Sequence, residues 1–175
     1  MTVGVTRISG TAGPVIDFRA YLAGDLAERS ALIQLPSHTW SYGTGAGQAN
    51  VIYQDSISLA DGADTTIDLY ASGSLLDIFE RALTMETLKF LYIKNTSADA
   101  TLLVGGGASN DLLLFAATSD IVKIPPGGDS ILYNDVAGSG ILLTTNKNLK
   151  LTHDGTGGST MAVYVIAMGL DSAPA

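Results

Sequence analysis

The chain contains no cysteine. Neither a disulfide nor a thiolate metal site can form, and cysteine usage gives no reading of the redox compartment. Charge is scarce: 15% of residues are charged, against 46% hydrophobic. Nine Lys and Arg stand against 17 Asp and Glu, a formal net charge of −8. Nucleic-acid binding needs a cationic footprint, so no direct contact with DNA or RNA is expected. No apolar run approaches the ~18 residues of a membrane span, so no membrane partner is expected either. The opening MTVGVTRISG lacks the basic and then apolar order of a signal peptide, and none is expected. Two histidines and one tryptophan complete the scarcities.

These shortages thin out the catalytic possibilities. His38 and His153 are far apart in sequence. A zinc or triad reading of His153-Asp154 needs a third partner, and none is spaced nearby. Asp61, Asp64 and Asp68 resemble a calcium loop only superficially, because the alternating carboxylates and closing Glu are missing. Gly105-Gly106-Gly107 and Pro125-Pro126-Gly127-Gly128 lack the lysine, hydroxyl and following helix of a phosphate loop, and read as turns. A glycosidase pair of carboxylates is unsupported without a Trp in the body to stack a sugar. Tyr53, Tyr70 and Tyr133 leave lectin-like binding open, although most such tyrosines are core or interface residues. No enzyme, metal or cofactor is expected.

What is present is a succession of short strands. Thr87–Ser97, TLKFLYIKNTS, is a β-rich apolar run closed by turn residues. Leu88, Phe90 and Tyr92 should share one face, and Leu91 and Ile93 the other. Around this hub the pattern predicts strands at VIYQDSISL (51–59), TTIDLYA (65–71), TLLVGGG (101–107), DLLLFAA (111–117), IVKI (121–124), SILYN (130–134), ILLTT (141–145), LKLTH (149–153) and TMAVYVIAM (160–168). In the last of these, Met161, Val163, Val165 and Ala167 face one way and Ala162, Tyr164, Ile166 and Met168 the other, so both sides should be covered. DGTGGS (154–159) reads as a hairpin-type turn. One short helix is expected at 73–84, where Leu75, Ile78, Phe79 and Ala82 share a face and Ser74 can cap. Nine or ten strands without βα alternation predict an all-β antiparallel sandwich of jelly-roll type over residues 51–175.

Residues 1–50 read as a separate extended arm. The first 45 carry three bases and three acids, so the whole −8 falls on the remainder. Residues 1–13 suggest either a strand at Val3–Ile8 or a disordered tail. Residues 14–36 suggest irregular structure with one or two helical turns, one of them at Leu26–Ser30 capped by Asp25. Trp40 and Tyr42 form an aromatic pair beside the alternating Gly43, Gly45 and Gly47. They read either as docking residues or, with somewhat more weight, as side chains packed on their own domain. Phe18, Arg19, Tyr21, Leu22, Trp40 and Tyr42 are the arm residues assigned to a partner interface.

From Ile67 to Met168, the order of motifs resembles small β-domain proteins encoded among the structural genes of tailed bacteriophages. The matching pieces are Asp68-Leu69, Leu76-Asp77, Phe79, Leu83-Thr84, Leu88-Lys89, Leu91–Ser97, Val104–Gly106, Ile124–Gly128, Leu149–Thr152 and Gly157–Met168. They fall largely on strands and turns and speak for fold more than for function. The resemblance implies a virion component, either a capsid decoration (cement) protein or a module of a head fibre or tail. The expectation is a non-enzymatic cement protein on the capsid exterior, a homotrimer that bridges and stabilises major capsid protein subunits. The alternative is a receptor- or glycan-binding jelly roll.

Overall fold

The computed structural model describes residues 9–12, 15–21, 28–34, 38–70, 75–77, 80–114, 117 and 119–171. Five strands precede the body: β1 (Ser9–Ala12), β2 (Val15–Tyr21), β3 (Glu28–Gln34), β4 (His38–Tyr42) and β5 (Gln48–Ala49). Next come β6 (Val51–Leu59), β7 (Asp64–Asp68) and the two-residue strands β8 (Leu75–Leu76) and β9 (Ala82–Leu83). The chain continues through β10 (Thr87–Asn95), β11 (Leu102–Gly105), β12 (Ile121–Ile124) and β13 (Asp129–Asn134). It ends with β14 (Ile141–Leu142), β15 (Asn148–His153) and β16 (Met161–Leu170).

β10 is apolar at most positions, too many for a strand with one wet face. It lies inside the front sheet, whose order is β13-β10-β16-β6, with β14 also paired to β10. The back sheet runs β12-β11-β15-β7. One core joins the two: Leu91, Ile93, Val163 and Val165 of the front sheet pack with Leu102, Val104, Leu149 and Leu151 of the back. Burying each such side chain contributes about 1.5–3 kcal/mol. The protein is thus all-β, with antiparallel sheets packed over a shared core.

Sequence neighbours in the body are mostly not sheet neighbours. β6 leads from one sheet to β7 in the other, and β10 leads to β11, β12 to β13, and β15 to β16 in the same way. The expected hairpin turn at 154–159 is therefore a crossover between sheets. The only sequence-adjacent hairpin within the two body sheets is β11–β12. Passing the chain between layers covers the inner face of both long central strands, and their outer face needs other cover.

Three expectations are corrected. Residues 75–76 and 82–83 form a tight hairpin, Leu75 opposite Leu83 and Leu76 opposite Ala82, where a short helix was expected. Asp77 closes its turn by accepting from the backbone N and Nε of Arg81 at 3.0 and 2.9 Å, and Glu80 adopts a left-handed φ of 62°. Leu75 and Leu83 are thus buried from two paired strands, and Ile78 and Phe79 of the expected helical face lie outside the described residues. The proposed cap, Ser74, lies outside the described residues. Second, 111–114 forms no ladder, only a bridge from Asp111 to Asn148, while Leu112 is buried. Third, Leu88 joins the inner core and not the outer face of Phe90. The β10–β16 register shifts between Leu88 and Phe90, so Lys89 is an extra residue that turns Leu88 over. β16 follows the predicted alternation, with Met161, Val163, Val165 and Ala167 in the core.

The N-terminal region is β-structured where one or two helical turns were expected. β2 and β3 pair antiparallel from Val15 opposite Gln34 to Tyr21 opposite Glu28. Residues 28–30 of the expected Leu26–Ser30 turn are therefore strand. β1 pairs with β4, Ala12 opposite His38, and β4 runs parallel to β5. The strand suggested at Val3–Ile8 lies outside the described residues.

Candidate interaction surface

The outer face of the front sheet is divided in two. By register, Phe90, Met168 and Ile52 form one row across β10, β16 and β6. Trp40 of β4 and Ala49 of β5 pack on this row, and both are buried. The Trp40 and Phe90 rings meet edge-on at 6.4 Å, and His38 meets Trp40 at 5.7 Å. Residues 38–50 thus form a flap laid on the sheet. Gly47 N donates to Val136 O at 2.6 Å, and the buried Lys89 ammonium donates to Gly45 O at 3.1 Å. Asn50 closes the flap by exchanging hydrogen bonds with the backbone of Asp171 at 2.6 and 2.8 Å.

The next two rows are open. One contains Ile131, Tyr92, Ile166 and Gln54, the other Asp129, Lys94, Tyr164 and Ser56. Tyr164 is 45% exposed and Ile131 36%. Tyr92 donates its hydroxyl to Asp129 Oδ2 at 2.8 Å. Partial burial, followed by that carboxylate's hydrogen bond and charge, raises the Tyr92 pKa. The apolar strip begins under the flap, where Tyr92 and Ile166 already touch the Trp40 cluster, and continues into the open rows.

Between β1 and β4 in chain order lies the insertion formed by β2 and β3. It leaves and rejoins the β1–β4 ladder between the register partners Ala12 and His38. Its own ladder begins at Val15 and Gln34, so two residues intervene on one strand and three on the other. Among the described residues, β2 and β3 form a ladder only with each other. Register places Ile16 with Ile33, Phe18 with Ala31, and Ala20 with Arg29 on one face of this ribbon. The other face has Asp17, Arg19, Tyr21, Glu28, Ser30 and Gln34 beside Val15 and Leu32.

The residues assigned to a partner interface therefore separate. Phe18 and Arg19 fall on opposite faces of β2, Tyr21 ends β2 on the face of Arg19, and Leu22 lies outside the described residues. Trp40 is 1% exposed and committed to its own chain, while Tyr42 is 36% exposed. Tyr164, Tyr92 and Ile131 were missed. For Tyr92 and Tyr164 the signal was the two-sided apolar pattern of β10 and β16, which cannot say how much of an outer face the chain itself covers, while Ile131 lies on β13.

The remaining candidates resolve into structural roles. Tyr53 is buried and Tyr133 is half-buried, with hydroxyls on Asp55 at 3.1 Å and Asp135 at 3.3 Å. Burial first, then the neighbouring aspartate, raises both phenol pKa values. Tyr70 lies under the Lys147 ammonium, 5.7 Å from the ring centre. Asp64 pairs with Lys150 at 3.5 Å and Asp68 with Lys147 at 2.7 Å, so the supposed calcium loop is split between separate ion pairs. Gly105–Gly107 wraps the buried Asp111, whose Oδ2 accepts from Gly107 N at 2.8 Å.

His153 is buried, with Nε2 2.9 Å from Ser159 O and Nδ1 accepting from Gly155 N at 3.1 Å. Asp61 and Asp154 approach Nδ1 at 3.6 and 3.9 Å, too far for a hydrogen bond to a nitrogen already occupied by Gly155 N. Asp154 is already held by Thr156 N and Oγ1 at 3.1 and 2.7 Å, which keeps its carboxyl low, and the cluster ties three loops together. Among the described residues, no group of three or more His, Cys, Asp or Glu could hold a metal ion.

A cleft of about 650 Å³ opens between the edge strands β6 and β7, against β8. Asp55, Asp68, Asp77 and Glu80 line it. Three of these carboxylates are engaged: Asp55 by Tyr53 and Ser56, Asp68 by Lys147, and Asp77 by Arg81 at 2.5 Å. No protein-family model matches this chain, and no curated protein matches it.

Proposed function

We propose that the protein is a non-enzymatic virion component, a capsid decoration protein that works as a homotrimer on the outside of a shell and bridges subunits of the major capsid protein. The observation that carries this reading is the β2–β3 insertion: a neutral, two-stranded element with one apolar face, joined to an acidic body. An isolated two-stranded ribbon is marginally stable in water and gains stability by packing on something. A bridging protein needs such an element, joined to a body whose −8 charge favours solubility.

The strand order supports the finer architecture. Taking β6, β7, β10, β11, β12, β13, β15 and β16 as eight successive strands, crossing from sheet to sheet gives the two four-stranded layers of a jelly roll. Such folds serve in viral capsids, lectins and cupins. The engaged carboxylates of the cleft and the scattered ion pairs of the calcium-like loop favour a binding role over hydrolysis.

The test replaces residues 13–37 by a two-residue Asn-Gly turn between Ala12 and His38, keeping the flap. The variant is expected to fold and to lose co-sedimentation with capsids, whereas the intact protein co-sediments at hundreds of copies per virion. Full occupancy by the variant would refute the bridging role, and a few copies per virion would indicate a fibre or tail part. A second reading, glycan binding on a head fibre or tail, is favoured by the exposed Tyr164 beside Tyr92. It predicts sugar binding that Tyr164→Ala abolishes, and a flat glycan array counts against it.

A further inference from the structure

We infer that the β2–β3 ribbon of one copy docks, by the face carrying Ile16, Phe18, Ala20, Ala31 and Ile33, onto the open rows of the front sheet of a second copy. Two incomplete surfaces in the same chain carry the argument. The ribbon has an apolar face but no sheet partner beyond itself. The front sheet has an apolar strip of which the chain covers only one part, leaving Tyr92 and Ile166 half-buried at the flap's margin and Ile131 and Tyr164 exposed beyond it. Ribbon on sheet is the packing this molecule already uses, since β4 and β5 cover the adjoining row in the same manner.

Size and charge agree. Seven paired residues span about 24 Å at ~3.4 Å per residue. Four front-sheet strands, at about 4.8 Å spacing, present a width of roughly 15–20 Å. The ribbon strands carry Asp17, Arg19, Glu28 and Arg29 and are neutral, whereas residues 51–171 carry the chain's −8. Two bodies repel each other, but a neutral ribbon can approach an acidic body without that cost. Arg29 is the one charge on the apolar face, and Asp129 stands at the corner of the open rows. A ribbon laid on a neighbour's sheet is a head-to-tail contact, which forms a ring where the rotation between copies closes and a filament where it does not. A trimer built this way would seat each ribbon on a neighbour, so that capsid subunits are bridged through the linked copies and not by direct contact of the ribbon with the shell.

The inference deepens the shell reading by naming the contact between copies. It rests on that reading for the ring size alone, and its test uses purified full-length protein without capsids. Because the chain has no cysteine, Ala31→Cys with Gln54→Cys places a single thiol on each proposed surface. Under mild oxidation we expect covalent oligomers on a non-reducing gel, and mixing the two single-cysteine variants should give a crosslinked dimer. Phe18→Asp and Tyr164→Lys, each with unchanged far-ultraviolet circular dichroism, should shift the native protein to monomer in sedimentation analysis. An intramolecular disulfide would overturn the proposal in favour of the ribbon covering its own sheet. Monomeric wild-type protein at tens of micromolar, or oligomers unaffected by both charge variants, would also overturn it. Self-association of the intact protein, together with no co-sedimentation with capsids in the separate assay above, would sink the shell reading alone.

Discussion

The Trp40–Phe90 contact joins the flap to the sheet, and its energy can be isolated. Trp40→Ala and Phe90→Ala are each expected to cost about 3–5 kcal/mol by denaturant unfolding. The double variant should lose less than the sum by ~0.5–1.5 kcal/mol, the coupling of an edge-on aromatic pair. Additive losses would show that the flap packs independently. Asn95 is a second test. Its Nδ2 donates to Ala100 O, Ile124 O and Pro125 O at 2.8, 3.1 and 3.1 Å, and its Oδ1 accepts from Ser97 N at 2.9 Å. Asn95→Ala should destabilise by on the order of 3 kcal/mol, because it orphans buried backbone groups. Asp135 tests pH. Backbone hydrogen bonds, chiefly from Gly140 and then Gly138, outweigh partial desolvation and hold its carboxyl below the usual range. Its stabilisation is complete above the unfolded value of ~3.9 and is lost as pH falls through the lower folded value. Asp135→Asn should therefore lower Tm at neutral pH by a few degrees, with the gap closing on acidification. A pH-independent gap would assign the loss to packing. None of these partners was legible in the sequence. Asn95 looked like a turn residue after a strand, because its three acceptors come from segments up to thirty positions away.

At the scale of elements, the strands of the body were legible and their company was not. β6, β10, β15 and β16 stand nearly where alternation and apolar runs placed them. The errors fell where two periodicities compete. Leu75, Ile78, Phe79 and Ala82 fit a helical face, but Asp77 and Arg81 close a turn that sets Leu75 against Leu83. Over residues 14–36 the sequence suggested one or two helical turns, where β2 and β3 pair instead. The apolar face of the ribbon emerges only when Ile16 is set against Ile33 and Phe18 against Ala31 across the pair. This changes how the arm should be removed. Truncation to residue 51 strips away Trp40 and Ala49 and uncovers Phe90, Met168 and the Lys89 ammonium. Such a truncation should aggregate or unfold several degrees earlier, whereas excision of 13–37 should leave Tm within a few degrees of the parent. Scanning calorimetry of both separates flap from ribbon, and equal stability would deny the flap its structural role.

For the whole molecule, charge and apolar surface act in opposite directions on assembly. A body at −8 repels its copies over about 10 Å at 0.1 M salt, while an apolar ribbon contact is insensitive to screening. Self-association should therefore tighten as salt rises from ~0.05 to ~0.5 M, read as a falling dissociation constant by sedimentation. Loosening would mean that ion pairs such as Arg29 with Asp129 dominate the contact. The excursion between Ala12 and His38 has one more consequence. Its two ends are opposite residues of an antiparallel ladder, about 4.5–5.5 Å apart, the spacing at which any hairpin begins and ends. The body therefore sets the anchor points of this segment without dictating its length or contents. A foreign hairpin or folded peptide spliced between the same two residues should be carried without disturbing the sandwich, which makes this position a natural port for grafted cargo.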